Sequence, residues 1–152
     1  MRRAFFKATA ALAAAGLSAK AMAQGGAATQ AKGGNQVKVV YQMSEGLDQA
    51  VRMMSNLRNH LNGAPGTKIV VVAFGYGIDF LLEGAKDSRG NAFDAPVAAL
   101  AADGIEFRAC GNTLAARRIS PSSLLLEAKV VPAGVVEVAN LQFNEGYAYI
   151  KP

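Results

Sequence analysis

The 152-residue chain is 51% hydrophobic, carries 16 basic and 11 acidic residues, and contains one cysteine and one histidine. This length suits a single domain with a sizeable core, and a lone cysteine excludes an internal disulfide framework. One histidine and one cysteine are too few ligands for a structural zinc site, so no metal and no cofactor are expected.

The first 23 residues have the pattern of a signal peptide. A charged start with Arg2, Arg3 and Lys7 precedes an alanine-rich apolar run, and residues 21–23 form a small-x-small cleavage site. The run is shorter than the roughly 20 residues that span a bilayer, so no membrane span is expected after cleavage. The arginine pair resembles the twin-arginine export motif. The sequence therefore predicts a periplasmic protein, with general secretory export as the alternative route.

Removal of this segment changes the charge balance. Arg2, Arg3, Lys7 and Lys20 leave with it, so 12 basic residues face 11 acidic ones and the net charge falls from +5 to +1. A nearly neutral chain does not favour binding to nucleic acid, which needs a basic surface. Residues 24–36, rich in Gly, Ala and Gln, predict a flexible leader. Residues 37–152 predict the folded domain.

Short β-branched runs alternate with longer amphipathic runs along this domain. The short runs predict strands over residues 37–43, 68–74, 105–109, 130–131 and 147–150. The longer runs predict a first helix capped by Ser44, with apolar positions at 47, 51, 54, 57 and 61. Further helices are predicted over residues 78–84, from the cap Asp94 to about 104, and over 112–118, 121–127 and 134–145. This alternation predicts an α/β fold with a mostly parallel sheet.

Ligand sites in parallel sheets form where the strands end. Here the strand ends fall at residues 43–44, 74–77, 109–112 and 132–134. Cys110 follows a strand directly and precedes the helix entry at Asn112 and Thr113, whose backbone amides favour a thiolate. A small buried hydrophobic residue is the alternative interpretation of Cys110. An inert thiol, an intermolecular disulfide and a reactive thiol all remain open at this point.

Other familiar motifs are incomplete. The Gly75-Tyr76-Gly77 turn lacks the third glycine of a dinucleotide site, because Phe80 stands there, so its glycines are interpreted as backbone geometry. The Gly-x-Ser-x-Gly motif of a serine hydrolase is absent. His60 is interpreted as a partly exposed polar residue beside the first helix's apolar positions. Arg117-Arg118 lies about two helical turns after Cys110, where it can stabilise a thiolate or an anionic sulfur substrate.

Residues 37–152 resemble the small stand-alone branch of the DsrE/DsrF-like sulfur-relay family. The resemblance rests on the order and spacing of four segments, at residues 38–41, 68–82, 104–114 and 145–152. It implies a three-layer α/β/α domain with a five-stranded, mostly parallel sheet, assembled as a homotrimer or homohexamer. It also implies that Cys110 accepts sulfane sulfur as a persulfide and passes it to a thiol on another molecule.

The expected site follows from strand ends and resemblance together. Cys110 is the expected catalytic residue, and four residues are expected to stabilise its thiolate or an anionic substrate: Asn112, Thr113, Arg117 and Arg118. The pocket is expected to be formed by Ser44, Gly75, Tyr76, Gly77 and Asp79. The export signal departs from the cytoplasmic relay members and makes a role in tRNA thiolation implausible.

Two other functions are compatible with the same residues. In the first, the protein is a periplasmic oligomeric binding or assembly module, and Cys110 only lines a pocket or an interface. In the second, it is an enzyme with an acid–base site among Tyr76, Asp79 and Asn112.

Overall fold

The computed structural model describes residues 36–152. The predicted signal peptide, residues 1–23, and the predicted leader up to residue 35 lie outside the described residues. Within the described range, no helix is both long and apolar enough to cross a bilayer.

Five strands form one parallel sheet, which confirms the predicted α/β architecture. In chain order they are β1 (Lys38–Met43), β2 (Lys68–Ala73), β3 (Glu106–Cys110), β4 (Ala128–Val131) and β5 (Ala148–Ile150). Their order across the sheet is β4-β3-β2-β1-β5, and every neighbouring pair is parallel. The central strand β2 is almost entirely apolar because helices cover the sheet on both faces.

The strands are connected by helices of two kinds. The α-helices of the described chain are α1 (Leu47–Gly63), α2 (Asp94–Ala102), α3 (Gly111–Arg117) and α4 (Gly134–Glu145). Two 3-10 helices, Gly75–Leu81 and Pro121–Ser123, complete the connections. The larger is referred to below as the first 3-10 helix.

The direction of each connection decides which face its helix covers. From β1 to β4 the chain steps across the sheet in one direction, and α1, α2 and α3 pack on the same face, around Met53, Val97 and Leu114. From β4 to β5 the chain crosses the sheet in the opposite direction. A crossover of the same hand then places its helix on the opposite face, where α4 packs Val138 and Leu141 against the sheet. The result is the expected three-layer α/β/α arrangement.

Two predicted helices take a different form. The helix expected over residues 78–84 is the first 3-10 helix, whose three-residue turns stack Ile78 and Leu81 so that both are fully buried. The helix expected over residues 121–127 stops after one 3-10 turn. There Leu124 forms an antiparallel bridge with Leu82, and the Leu125 N–H donates to the carbonyl of Leu81 at 2.8 Å. These long-range hydrogen bonds replace the helical ones.

The predicted helix caps are wrong. Ser44 does not cap α1, which begins at Leu47; instead the side chain of Gln49 accepts the backbone N–H groups of Ser44 and Glu45, at 3.1 and 2.8 Å. Asp94 is the first residue of α2 rather than its cap.

The buried face of α1 is also displaced from the predicted stripe. Val51 is exposed, whereas Met53, which lay outside the predicted positions, is fully buried. The predicted Met54 and Leu57 are buried as expected. Ala50 joins them, so the buried face is centred on residues 50, 53, 54 and 57.

Candidate functional site

Cys110 lies at the point where two neighbouring strands send the chain to opposite faces of the sheet. It is the last residue of β3, not the residue after the strand as predicted, and it pairs with Val131 at the end of β4. From β3 the chain turns into α3 on one face, and from β4 it turns into α4 on the other. The thiol therefore lies at the carboxyl end of the sheet, where parallel sheets bind ligands. The Cys110 residue is only 5% exposed.

The pKa of the Cys110 thiol results from opposing effects. Burial raises it, whereas hydrogen bonds from the Thr113 hydroxyl and from the backbone N–H groups of Gly134, Thr113 and Asn112 lower it. The Asn112 N–H also donates to the Pro132 carbonyl at 3.1 Å, so the sulfur shares that donor. The hydrogen bonds together outweigh burial and hold the pKa below 9.0, the ordinary value. The site therefore favours a thiolate.

The Thr113 hydroxyl is oriented by a second hydrogen bond. Its oxygen accepts the backbone N–H of Gly75 at 3.0 Å. A hydroxyl has a single proton, and with an oxygen lone pair occupied by Gly75 that proton is free to point to the sulfur of Cys110. The first 3-10 helix and the thiol are thus connected through one side chain of α3.

Gly134, the first residue of α4, forms the opposite wall of the site. A Cβ atom at this position would lie 3.2 Å from the Cβ of Cys110 and 2.9 Å from the ring of Phe74. Only a glycine lets α4 bring its first N–H this close to the thiol. Residues 132–134 were predicted at a strand end, but Gly134 was not among the predicted site residues. A glycine at the start of a helix that follows a strand was the available signal.

Both glycines of the Gly75-Tyr76-Gly77 turn serve backbone geometry, as interpreted from the sequence. Gly75 has φ +58°, which favours glycine. A Cβ on Gly77 would lie 2.3 Å from the backbone carbonyl of Met43 and 2.6 Å from the nitrogen of Ser44. The turn that follows β2 is therefore in close contact with the carboxyl end of β1. The hydrogen bond between Gly75 and Thr113 also joins it to the start of α3, so the ends of β1, β2 and β3 meet there.

Arg117 gathers three of the predicted pocket residues. Its Nη1 atom donates to Asp79 Oδ1 at 2.6 Å and to the Gly75 carbonyl at 3.0 Å. Its guanidinium lies 5.2 Å from the ring centroid of Tyr76, whose side chain is otherwise 68% exposed. The ion pair with Asp79 is half-buried. Arg117 therefore fixes the turn at residues 75–77, and its charge is paired with Asp79 rather than free in solvent.

The remaining predicted site residues contribute no side-chain hydrogen bond to the thiol. Arg118 is exposed and has φ +55° at the end of α3, and its side chain makes no hydrogen bond or ion pair within residues 36–152. The side chain of Asn112 is exposed, and this residue contributes its backbone N–H. Ser44 packs at the end of β1, where its hydroxyl accepts a hydrogen bond from Gln42 at 3.3 Å.

Other polar features are separate from Cys110. His60 is partly buried and its Nδ1 atom lies 2.9 Å from the Tyr41 hydroxyl, beside a groove of about 520 Å³. A second groove, of about 630 Å³, lies beside the amino end of α1. Among the described residues, no three His, Cys, Asp or Glu side chains are grouped as a metal site requires.

Comparisons with known proteins agree with this architecture. A protein of unknown function, MTH1491 from Methanobacterium thermoautotrophicum, superposes with a TM-score of 0.66 at 30% identity, over 78% of this chain and 100% of that chain. The ychN protein from E. coli gives a TM-score of 0.62 at 15% identity, with the same coverage, and shows the fold. No curated protein matches significantly. The family model for DsrE/DsrF-like proteins matches residues 2–152, and the chain therefore belongs to the DsrE/DsrF-like family.

Proposed function

We propose that this DsrE/DsrF-like protein is an exported sulfur carrier that holds sulfane sulfur as a persulfide on Cys110. The observation that carries the proposal is the position of Cys110 at the end of β3, where α3 begins at the next residue and the first residue of α4 lies against the Cys110 Cβ. Hydrogen bonds from both helices lower the pKa of this buried thiol. A structural cysteine in an apolar environment has a raised pKa and is inert. Donors from both α3 and α4 are an arrangement that a core-filling residue does not need.

The proposed transfer step conserves atoms and charge. The Cys110 thiolate attacks the outer sulfur of a donor persulfide, R–S–SH, so that a new S–S bond forms as the donor S–S bond breaks. The donor leaves as the thiolate R–S⁻ and Cys110 becomes Cys–S–SH. No external oxidant is needed, because the sulfane sulfur moves without a net change of oxidation state.

The acceptor belongs to another molecule. Cys110 is the only cysteine of the chain, so no resolving thiol exists within it. The second thiolate attacks the outer sulfur of Cys–S–SH and releases the Cys110 thiolate. The hydrogen bonds that lower its pKa also make it a good leaving group, since leaving ability rises as the pKa falls.

Mass spectrometry of the intact protein tests this proposal. After incubation with inorganic polysulfide and removal of excess reagent, we expect a mass increase of about 32 Da, the mass of one sulfur atom. A reducing thiol should remove it. Cys110→Ser is the matched control and should gain nothing. An unchanged mass in the native protein, or an equal gain in the serine variant, contradicts the proposal.

Burial of the thiol favours the binding or assembly module as the second candidate. Cys110 is only 5% exposed, so a partner thiol has little direct access to it. If Cys110 only lines a pocket or interface, iodoacetamide should react with the native protein no faster than with an unperturbed thiol of pKa 9.0 at the same pH. Faster reaction, abolished by Cys110→Ser, supports the carrier.

A further inference from the structure

The residue Gly75 is held by α3 at both of its hydrogen-bonding groups. Its N–H donates to Thr113 Oγ1 at 3.0 Å, and its carbonyl accepts from Arg117 Nη1, also at 3.0 Å. Thr113 and Arg117 are four residues apart, so they lie on the same side of the helix. Both backbone torsions of Gly75 are therefore fixed by α3.

Arg117 is itself fixed by groups of the first 3-10 helix. Asp79 accepts from its Nη1 atom at 2.6 Å, and Tyr76 lies against its guanidinium at 5.2 Å. Asp79 and Gly75 belong to the same 3-10 helix, so the ion pair and the hydrogen bond to the Gly75 carbonyl hold the guanidinium over that helix. Together with the contact to Tyr76, they restrict the rotation of the Arg117 side chain.

We propose that Arg117 and Asp79 are positioning residues for Cys110. They hold Gly75, whose N–H occupies the Thr113 oxygen, and the Thr113 hydroxyl proton is thereby directed to the sulfur. The inference rests on the proposed function, in which Cys110 is the reacting group. It assigns the arginine an indirect role, in contrast to a direct electrostatic effect of its charge on the thiolate.

The pH dependence of alkylation by iodoacetamide separates the two roles. We measure it on the full chain for Arg117→Gln, with Arg118→Gln as the matched control, because Arg118 is the adjacent arginine and makes no such contacts. Positioning predicts that Arg117→Gln moves the midpoint of the rate profile to higher pH, whereas Arg118→Gln leaves it unchanged. Equal shifts in both variants would assign the effect to overall charge and overturn the inference.

Substitutions of Thr113 measure how far the midpoint of Cys110 alkylation moves when the hydroxyl is lost. Thr113→Val should raise the midpoint by about one pH unit, which lowers the thiolate fraction about tenfold below the midpoint. The less acidic thiolate is intrinsically about threefold more nucleophilic, so the net rate falls about threefold. Thr113→Ser keeps the hydroxyl and should restore the native profile. If Arg117 acts through Thr113, the double variant Thr113→Val, Arg117→Gln shifts no further than Thr113→Val alone. Additive shifts contradict the inference.

Asp79→Asn distinguishes the roles by the sign of the effect. Removal of a negative charge favours a nearby thiolate and lowers the midpoint if electrostatics alone acts. Loss of positioning raises the midpoint instead, and this is the expected result. The variant also carries the test if Arg117→Gln fails to fold, as judged by circular dichroism.

The outcome is independent of persulfide formation. If the shifts occur as expected but polysulfide adds no sulfur to Cys110, the carrier function fails and the positioning role stands. If sulfur is added but Arg117→Gln and Asp79→Asn leave the profile unchanged, the carrier function stands and the positioning role fails.

Discussion

Individual glycines in this fold have opposite effects on stability, and their surroundings show why. A Cβ atom on Gly77 would lie within 3 Å of three backbone atoms of Met43 and Ser44, none of which can rotate away. Gly63 ends α1, and a Cβ atom added to it would meet nothing within 4 Å. Gly77 permits the turn after β2 to touch the end of β1, whereas Gly63 only raises the backbone entropy of the unfolded chain.

We expect Gly77→Ala to lower the free energy of unfolding by at least about 3 kcal/mol, because the turn must move away from β1. Gly63→Ala is the control and should raise it by about 0.5–1 kcal/mol. Urea denaturation followed by circular dichroism measures both. Similar effects of the two substitutions would contradict the close contact at Gly77.

Gly134→Ala should act on the thiol itself. The added methyl group would lie 3.2 Å from the Cβ of Cys110 and 2.9 Å from Phe74, so α4 must shift away from the site. We expect the Gly134 hydrogen bond to the sulfur to weaken and the alkylation midpoint of Cys110 to move to higher pH. An unchanged midpoint would show that this N–H contributes nothing to the acidity of the thiol.

The sequence indicated the place of Cys110 because a strand end can be recognised from local pattern alone. It did not indicate that Gly134 faces the sulfur, or that Thr113 bonds to Gly75. Those contacts depend on which strands become neighbours in the sheet, and a single sequence contains that information only weakly. Residues close in sequence to Cys110 were therefore found more readily than residues close to it in space.

At the scale of elements, the strands were predicted better than the helices. Apolar residues predominate in β1 and β2 and alternate with charged residues in β3, and pairing confirms these strands. The first 3-10 helix has tighter turns than the predicted α-helix, and the segment after Pro121–Ser123 satisfies its backbone groups by long-range hydrogen bonds, such as that of Leu125 to Leu81. The buried side of α1 was misassigned at Val51, because apolar residues on two adjacent faces allow more than one stripe.

On the face of the sheet that α4 covers, a cluster of charged side chains connects α4 to β3. Arg108 of β3 binds Glu106 at 2.7 Å and also pairs with Glu137 of α4, and all three side chains are partly buried. The hydrogen bond from Arg108 is the main reason that the pKa of Glu106 lies below its ordinary value of 4.5. The cluster thus joins α4 to the sheet through ionised groups.

The acid stability of the protein should reflect this cluster. Because the pKa of Glu106 is lower in the folded state, its contribution is complete above pH 4.5 and is lost as the pH falls through the folded-state pKa. We expect Glu106→Gln to be less stable than the native protein at neutral pH and to lose less stability below pH 4.5. Glu83→Gln, at an exposed carboxylate, should retain the native pH dependence. Parallel curves for native protein and Glu106→Gln would contradict this role.

At the scale of the whole molecule, the change of direction between β4 and β5 creates the site. It places α3 and α4 on opposite faces, and Cys110 lies against the first residues of both helices. The fold class was predictable because strand–helix alternation is a property of the sequence. The strand order was not predicted, since alternation alone permits several orders.

Export by the twin-arginine route stays a prediction, and it can be tested on the complete chain. Replacement of Arg2 and Arg3 by lysine preserves the positive charge but removes the arginine pair. We expect the double variant to remain in the cytoplasmic fraction, while the native chain reaches the periplasm. Export of the double variant at the native level would assign the signal to the general secretory route.

Assembly is the corresponding prediction for the mature domain. Sedimentation equilibrium should give a mass that corresponds to a homotrimer or a homohexamer. Cys110→Ser should leave this mass unchanged, because a persulfide carrier does not use the thiol to join its copies. A monomer at micromolar concentration would contradict the assembly proposal.

The pairing of β5 with β1 has a consequence for biosynthesis. The first and last strands of the described chain are neighbours, with Val39 opposite Ala148, so the sheet is complete only when β5 has left the ribosome. Gly134 also belongs to this late segment. A nascent chain in which Cys110 has already emerged therefore still lacks one of its hydrogen-bond donors. The thiol therefore reaches its final acidity only when α4 has emerged and packed against β3.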